Sequence, residues 1–114
     1  MYANIDTQKE EIMELETIRS VVKETFRETF VEQELEYSLK EVSDMPRIKH
    51  INFIIYNDLG VCCEFSVSET MVFDATLKND LARSKYELKV WLDFITKVEE
   101  KLRVLFLKEL SSEE

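Results

Sequence analysis

The residues that could carry nucleophilic or acid–base chemistry are one histidine, His50, and two adjacent cysteines, Cys62 and Cys63. Nucleophilic catalysis needs a nucleophile, a base and an oxyanion-stabilising group within hydrogen-bond reach. A hairpin turning at Gly60 is expected to bring His50 near the cysteines, but no oxyanion-hole device accompanies them. These three residues are also an awkward zinc ligand set. We therefore predict no catalytic residue, metal site or cofactor, and interpret His50 as a solvent-facing strand residue.

The two cysteines are expected to be reduced. Neighbouring side chains of a strand point to opposite faces, so a bond between Cys62 and Cys63 would distort the strand, and the chain has no other cysteine. This alternation predicts that Cys62 is exposed and Cys63 buried. The alternative is a vicinal redox pair, but nothing basic flanks the pair to lower a thiol pKa.

Glycine and proline are scarce: the 114 residues include only Gly60 and Pro46. Phosphate-binding loops need several glycines close together, so the P-loop and the dinucleotide fingerprint are excluded. The composition, 45% hydrophobic and 34% charged, predicts one globular domain over residues 1–114. No apolar run is long enough to cross a bilayer and the N-terminus is acidic, so we expect a cytoplasmic protein.

Acidic residues dominate the first part of the chain. The net charge is −9, and the first 46 residues hold twelve acidic and five basic side chains. On a helical wheel, the acids of the first predicted helix gather opposite its apolar stripe; they are Asp6, Glu10, Glu14, Glu24, Glu28 and Glu32. Residues four apart rise about 6 Å along the axis, so Glu24, Glu28 and Glu32 form a predicted column of carboxylates. Glu34 and Glu36 follow it.

Two interpretations of this acidic face remain open. It is either a solvated surface that keeps the protein soluble, or a column whose spacing approximates backbone phosphates and fits the Lys/Arg groove of a nucleic-acid enzyme. Direct nucleic-acid binding is disfavoured, because the net charge is −9 without a basic stripe. No Asp-rich loop of the calcium-binding type occurs.

The hydrophobic pattern predicts a helix, a meander and a second helix. The first helix spans about 7–32, with capping-box spacing at Thr7 and Glu10. A strand follows at about 34–42; the rival interpretation is a longer helix with a second apolar face. After a turn at 43–46, strands are predicted at 49–56 and 61–68, joined by a tight loop at 57–60 in which Gly60 adopts positive φ. Residues 71–73 extend this strand or form a fourth.

The second helix is predicted from Asp74 or Thr76 to Leu110. Its core-facing residues, at helical spacing, are Leu77, Leu81, Leu88, Trp91, Leu92, Ile95, Val98, Leu102, Leu105 and Phe106. Further apolar residues lie off that stripe and exceed what one small core needs: Tyr86, Val90, Phe94, Val104 and Leu107. They predict a protein interface, either a homodimer or a docking surface, unless a wide core or a fourth strand covers them.

These patterns predict an α+β fold: an N-terminal helix, an antiparallel three- to four-stranded meander and a long C-terminal helix in a two-layer sandwich. The expected function is that of a non-catalytic acidic protein that binds and inhibits a basic nucleic-acid enzyme. Phage-encoded anti-defence and anti-CRISPR proteins are of this physical type, an analogy of charge, size and missing chemistry. The alternative is a dimeric assembly or secretion chaperone that holds a partner chain on apolar surfaces.

Overall fold

The computed structural model describes residues 13–42 and 50–112, with side chains described to residue 108. It confirms the α+β fold, with four antiparallel strands between two helices. In chain order the elements are α1 (Leu15–Phe26), a π-helical turn (Arg27–Val31), β1 (Ser38–Val42), β2 (His50–Asn57), β3 (Gly60–Ser68), β4 (Phe73–Leu77), a 3-10 turn (Asn79–Leu81) and α2 (Lys85–Ser112). The predicted capping box at Thr7 and Glu10 and the turn at 43–46 lie outside the described residues.

The first predicted helix, over about 7–32, is interrupted at residues 13 and 14, and residues 7–12 lie outside the described residues. Met13 and Glu14 are not helical, and the helix that follows them begins at Leu15. The Met13 amide donates a hydrogen bond to the Glu69 carbonyl oxygen (2.7 Å), which ties this segment to the connection between β3 and β4. Helix α1 therefore begins directly after this contact, at Leu15.

A Schellman motif ends the first helix. The Leu35 amide donates to the Phe30 carbonyl (2.9 Å), the Glu34 amide donates to the Val31 carbonyl (3.0 Å), and Glu34 has φ of 59°. This left-handed residue turns the chain out of the helix. The rival interpretation of one helix through residue 42 is therefore wrong, and the strand predicted from residue 34 begins at Ser38.

The predicted β2–β3 hairpin is confirmed, with Asn57 opposite Gly60 and Gly60 at φ of 125°. The strict alternation predicted for β3 is wrong at its start. Ile55 pairs with Cys63 while Tyr56 pairs with Val61, so Cys62 is the extra residue of a β-bulge. The bulge shifts the side-chain phase, and Cys62, predicted to be exposed, is fully buried beside Cys63.

The sheet has the order β1-β2-β3-β4, and the helices cover its inner face. Aromatic rings join the layers: the Phe94 ring lies 5.4 Å from that of Phe30 and 5.7 Å from that of Phe65, edge-on to both. The core contains residues from both helices and from the two central strands, among them Ile18, Val22, Ile51, Phe53, Ile55, Val67, Trp91, Val98 and Leu102. The meander and the long helix therefore share one core.

Helix α2 starts at Lys85, later than the predicted Asp74 or Thr76. The Glu87 amide donates to Ser84 Oγ (3.2 Å), and Glu87 Oε1 accepts a hydrogen bond from the Arg83 amide (2.6 Å). This Ser-x-x-Glu spacing is a helix-start signal that the sequence analysis missed. Leu77 and Leu81 consequently lie outside the helix, and Leu92, predicted to face the core, is 50% exposed.

Candidate partner-binding site

Ion pairs interrupt the predicted column of carboxylates. Glu28 Oε1 accepts a hydrogen bond from Lys101 Nζ on α2 (2.9 Å), and this bond lowers the pKa of the Glu28 carboxyl group. Glu32 Oε2 accepts one from Arg27 Nη1 (2.8 Å). Glu24 is exposed and makes no ion pair with any residue in the described part of the chain. Two of the three predicted carboxylates therefore already have cationic partners.

The remaining predicted acids are more available. Glu14, Glu34 and Glu36 are exposed, and within residues 13–42 and 50–108 their side chains make no hydrogen bond or ion pair. Glu36 borders a surface cleft together with Tyr56 and Asp58 at the end of the sheet. Glu10 lies outside the described residues. The carboxylates open to a partner are thus those of Glu14, Glu24, Glu34 and Glu36.

The five apolar residues predicted as an interface divide into three groups. Phe94 is fully buried, so its prediction as an interface residue is wrong. Its ring fills the space between α1 and the sheet, where the Phe26, Phe30 and Phe65 rings contact it. Val90 is partly buried against the same core. The exposed residues are Tyr86 (61%), Val104 (58%) and Leu107 (62%).

A groove between α1 and α2, which we call the interhelical groove, brings the two predicted residue classes together. The helices are antiparallel, because residues 21 and 24 lie beside residues 100–105 while residues 28, 29 and 33 lie beside residues 86–97. The Glu28–Lys101 ion pair crosses the space between them. One cleft, of about 170 Å³, is lined by Glu28, Thr29, Gln33, Tyr86, Lys89, Val90, Asp93 and Lys97. The other, of about 440 Å³, is lined by Val21, Glu24, Glu100, Lys101, Val104 and Leu105. Exposed apolar side chains and carboxylates therefore share this surface.

The histidine and the cysteines do not come together. His50 pairs with Ser68 at one end of the hairpin, whereas Cys63 pairs with Ile55 near the other. Five residues of strand separate these positions by roughly 16 Å, so the expected proximity of His50 to the cysteines is wrong. Both thiols are free and buried, and burial raises the pKa of Cys62 and raises that of Cys63 to about 12.

A partly buried hydrogen-bond network, which sequence patterns did not reveal, joins the layers at the start of α2. Tyr37 Oη donates to Glu87 Oε2 (2.8 Å) and accepts from Trp91 Nε1 (3.0 Å). Burial raises the pKa of Tyr37 to about 12. Burial also opposes ionisation of Glu87, but the Arg83 amide and the Tyr37 hydroxyl outweigh it and lower the pKa of that carboxyl group. Both groups keep their protonation states near neutral pH, and the network acts as a structural tie.

No family model matches the chain, and searches of curated proteins and of solved structures find no significant match. Among the residues that the structure describes, no group of three or more histidine, cysteine or acidic side chains is arranged to hold a metal ion. None of the described helices combines the length and apolarity needed to span a membrane.

Proposed function

We propose that this protein is a non-catalytic acidic binding protein that inhibits a partner enzyme by occupying its basic nucleic-acid groove. The net charge of −9 favours encounter with a basic surface. The exposed carboxylates of Glu24, Glu34 and Glu36 support the contact, because no cation among the described residues neutralises them. Glu28 and Glu32 contribute less than the helical wheel predicted, since Lys101 and Arg27 already bind them.

The conformation of Glu34 is the observation that carries the proposal. Its φ of 59° is in the left-handed region, where glycine is the favoured residue and other residues cost about 1–3 kcal/mol. Its side chain is exposed and makes no hydrogen bond or ion pair in the described structure, so the backbone bonds of the Schellman motif, and not the glutamate side chain, hold this conformation. We use the word corner for residues 34–36, directly after the first helix. A glutamate at residue 34, where glycine would fit without strain, is explained if a partner binds its carboxylate.

Charge reversal at the corner tests the proposal. The variant Glu34→Lys/Glu36→Lys is expected to bind the partner captured from host lysate at least about tenfold more weakly, because the two introduced lysines then repel the basic groove. Calorimetry would measure the affinity of the purified protein for its purified partner. A nucleic-acid duplex should compete with the protein for the partner. Affinity is also expected to fall as salt rises from about 0.1 M to about 1 M, where the screening length falls from about 10 Å to about 3 Å.

The matched control is Glu64→Lys/Asp74→Lys, which makes the same change in net charge on the outer face of the sheet. Both control carboxylates are exposed, on β3 and β4. If control and test variants lose affinity equally, only net charge matters and the corner is not the contact. Binding that is insensitive to both variants and to salt contradicts the proposal.

A second candidate function is a homodimeric assembly or secretion chaperone. The exposed apolar side chains of Tyr86, Val104 and Leu107 favour it, because they offer apolar contact area along α2. Contacts of this kind are not weakened by salt, so the salt series described above distinguishes the two candidates.

For either function we propose a cytoplasmic location, in which Cys62 and Cys63 stay reduced.

A further inference from the structure

We infer that the larger cleft of the interhelical groove is a docking site for a basic amphipathic helix of the partner protein. This inference rests on the proposed function and specifies the second contact that a basic partner makes, beside the corner at Glu34. The cleft lies between α1 and α2, beyond the Glu28–Lys101 ion pair. Its floor is apolar and its rim is acidic. A partner that fits both features presents apolar side chains flanked by basic ones.

The floor of the cleft consists of Val21 from α1 and of Val104 and Leu105 from α2. Val104 is 58% exposed although it lies beside the nearly buried Val21, so the helices leave apolar surface open between them. This cleft, of about 440 Å³, is shallow and open to solvent, which suits the side of a helix better than an enclosed small molecule. An amphipathic helix that inserts an apolar side chain between two helices is a common mode of recognition.

The rim of the cleft carries one carboxylate from each helix, Glu24 and Glu100. Both are exposed, and neither has a cationic partner within the described residues. The lysine that also lines the cleft, Lys101, is already bonded to Glu28 at 2.9 Å and is therefore not free to neutralise them. An apolar floor between two free carboxylates is complementary to apolar side chains flanked by lysine or arginine.

The same rim disfavours a second copy of this chain as the occupant. In a two-fold contact each residue of the patch meets the same patch on the other copy. Two copies seated on this cleft would bring two Glu24 and two Glu100 carboxylates together. Because like charges at an interface oppose association, the cleft fits a basic partner better than itself.

A synthetic peptide tests the cleft without the natural partner. The probe is a helical peptide of about 18 residues, five turns, with leucine on one face and lysine on the other. We expect it to bind the full-length protein and to shift the methyl resonances of Val21, Val104 and Leu105. We expect Val104→Asp, or the pair Glu24→Lys/Glu100→Lys, to weaken binding at least about tenfold.

The matched control for Val104→Asp is Leu92→Asp, on another side of α2. Leu92 is 50% exposed and does not line the cleft, so its variant carries the same polar change and is expected to bind the peptide like the wild type. A peptide of the same pattern with glutamate in place of lysine is expected not to bind. Circular dichroism of each variant excludes unfolding as the cause of a loss.

Other outcomes overturn the inference. Equal binding by the Val104 and Leu92 variants, or shifts that map elsewhere, would place the peptide outside the cleft. A wild-type protein that ignores the peptide and has twice the chain mass by light scattering would identify a second copy as the occupant. The cleft variants could bind the natural partner as tightly as the wild type while Glu34→Lys/Glu36→Lys loses affinity for it. That result would reject the docking site and leave the proposed function standing.

Discussion

Glu34 shows how a single residue can oppose the local preference of its backbone. It occupies the position after the helix where glycine is usual, and both Schellman hydrogen bonds form around it. The chain has one glycine, and that residue is used in the hairpin at position 60. The left-handed turn at Glu34 is therefore set by the surrounding bonds, and the residue type is free to serve another purpose.

At this scale we predict that Glu34→Gly stabilises the protein by about 1 kcal/mol, because glycine adopts the left-handed conformation without strain. The midpoint of urea unfolding should rise accordingly, while affinity for the partner falls. The matched change, Glu36→Gly in the turn before β1, where the Tyr37 amide donates to the Leu35 carbonyl (3.0 Å), is expected to destabilise by about 0.5–1 kcal/mol, since Glu36 does not have positive φ and glycine there only adds freedom to the unfolded chain. A lower unfolding midpoint for Glu34→Gly would mean that the glutamate side chain supports the fold.

The bulge in β3 shows what one extra residue does to an element. It places Cys62 beside Cys63 in the core, although the alternating pattern of the strand predicts opposite faces. The Cys62 carbonyl also accepts a hydrogen bond from the Lys78 amide (2.8 Å), which holds the chain just after β4. The bulge thus fixes both the environment of the thiols and the exit of the last strand.

We predict that neither thiol reacts with a charged thiol reagent at about pH 8 while the protein is folded. Burial raises the pKa of Cys62 and raises that of Cys63 to about 12, so both stay protonated and inaccessible. Two thiols per chain should react after unfolding in urea. The control variant Thr76→Cys, at an exposed position of β4, should add one thiol that reacts at once. Rapid reaction of a native cysteine would contradict the bulge.

The charge balance acts on the whole molecule. A net charge of −9 destabilises a compact state through self-repulsion, whereas exposed ion pairs such as Arg27–Glu32 and Lys89–Asp93 contribute little. Repulsion among many carboxylates therefore outweighs the attraction within a few exposed pairs. Screening by salt should therefore weaken the repulsion between carboxylates more than it weakens the attraction within the ion pairs.

We predict that the free energy of unfolding increases as sodium chloride is raised from about 0.01 M to about 0.15 M, where the screening length falls from about 30 Å to about 8 Å. Glu64→Lys/Asp74→Lys adds four charges to −9 and leaves −5, so its stability should depend less on salt. Urea unfolding at each salt concentration measures both slopes. A wild-type stability that falls with salt would show that the ion pairs dominate.

Short-range pattern was enough to predict the two helices and the central hairpin, whereas β4 (Phe73–Leu77) lies mostly where the second helix was predicted to start. Asn57 to Gly60 specifies its turn locally, and the alternation in β2 is confirmed by the burial of Ile51, Phe53 and Ile55. The Ser84–Glu87 cap was equally readable, because its donors and acceptors lie within one helical turn. These features depend on neighbouring residues and so can be read from the chain alone.

The faces of the helices were decided by tertiary packing. A helical wheel assigns one buried side, but α1 packs on the sheet and also beside α2, so Glu28 reaches Lys101, 73 residues away. The same double contact buries Phe94, which the wheel placed at an interface, and leaves Leu92 half exposed. Only the relative placement of two helices and a sheet determines which carboxylates are neutralised and which remain for a partner, because these contacts join residues far apart in the chain.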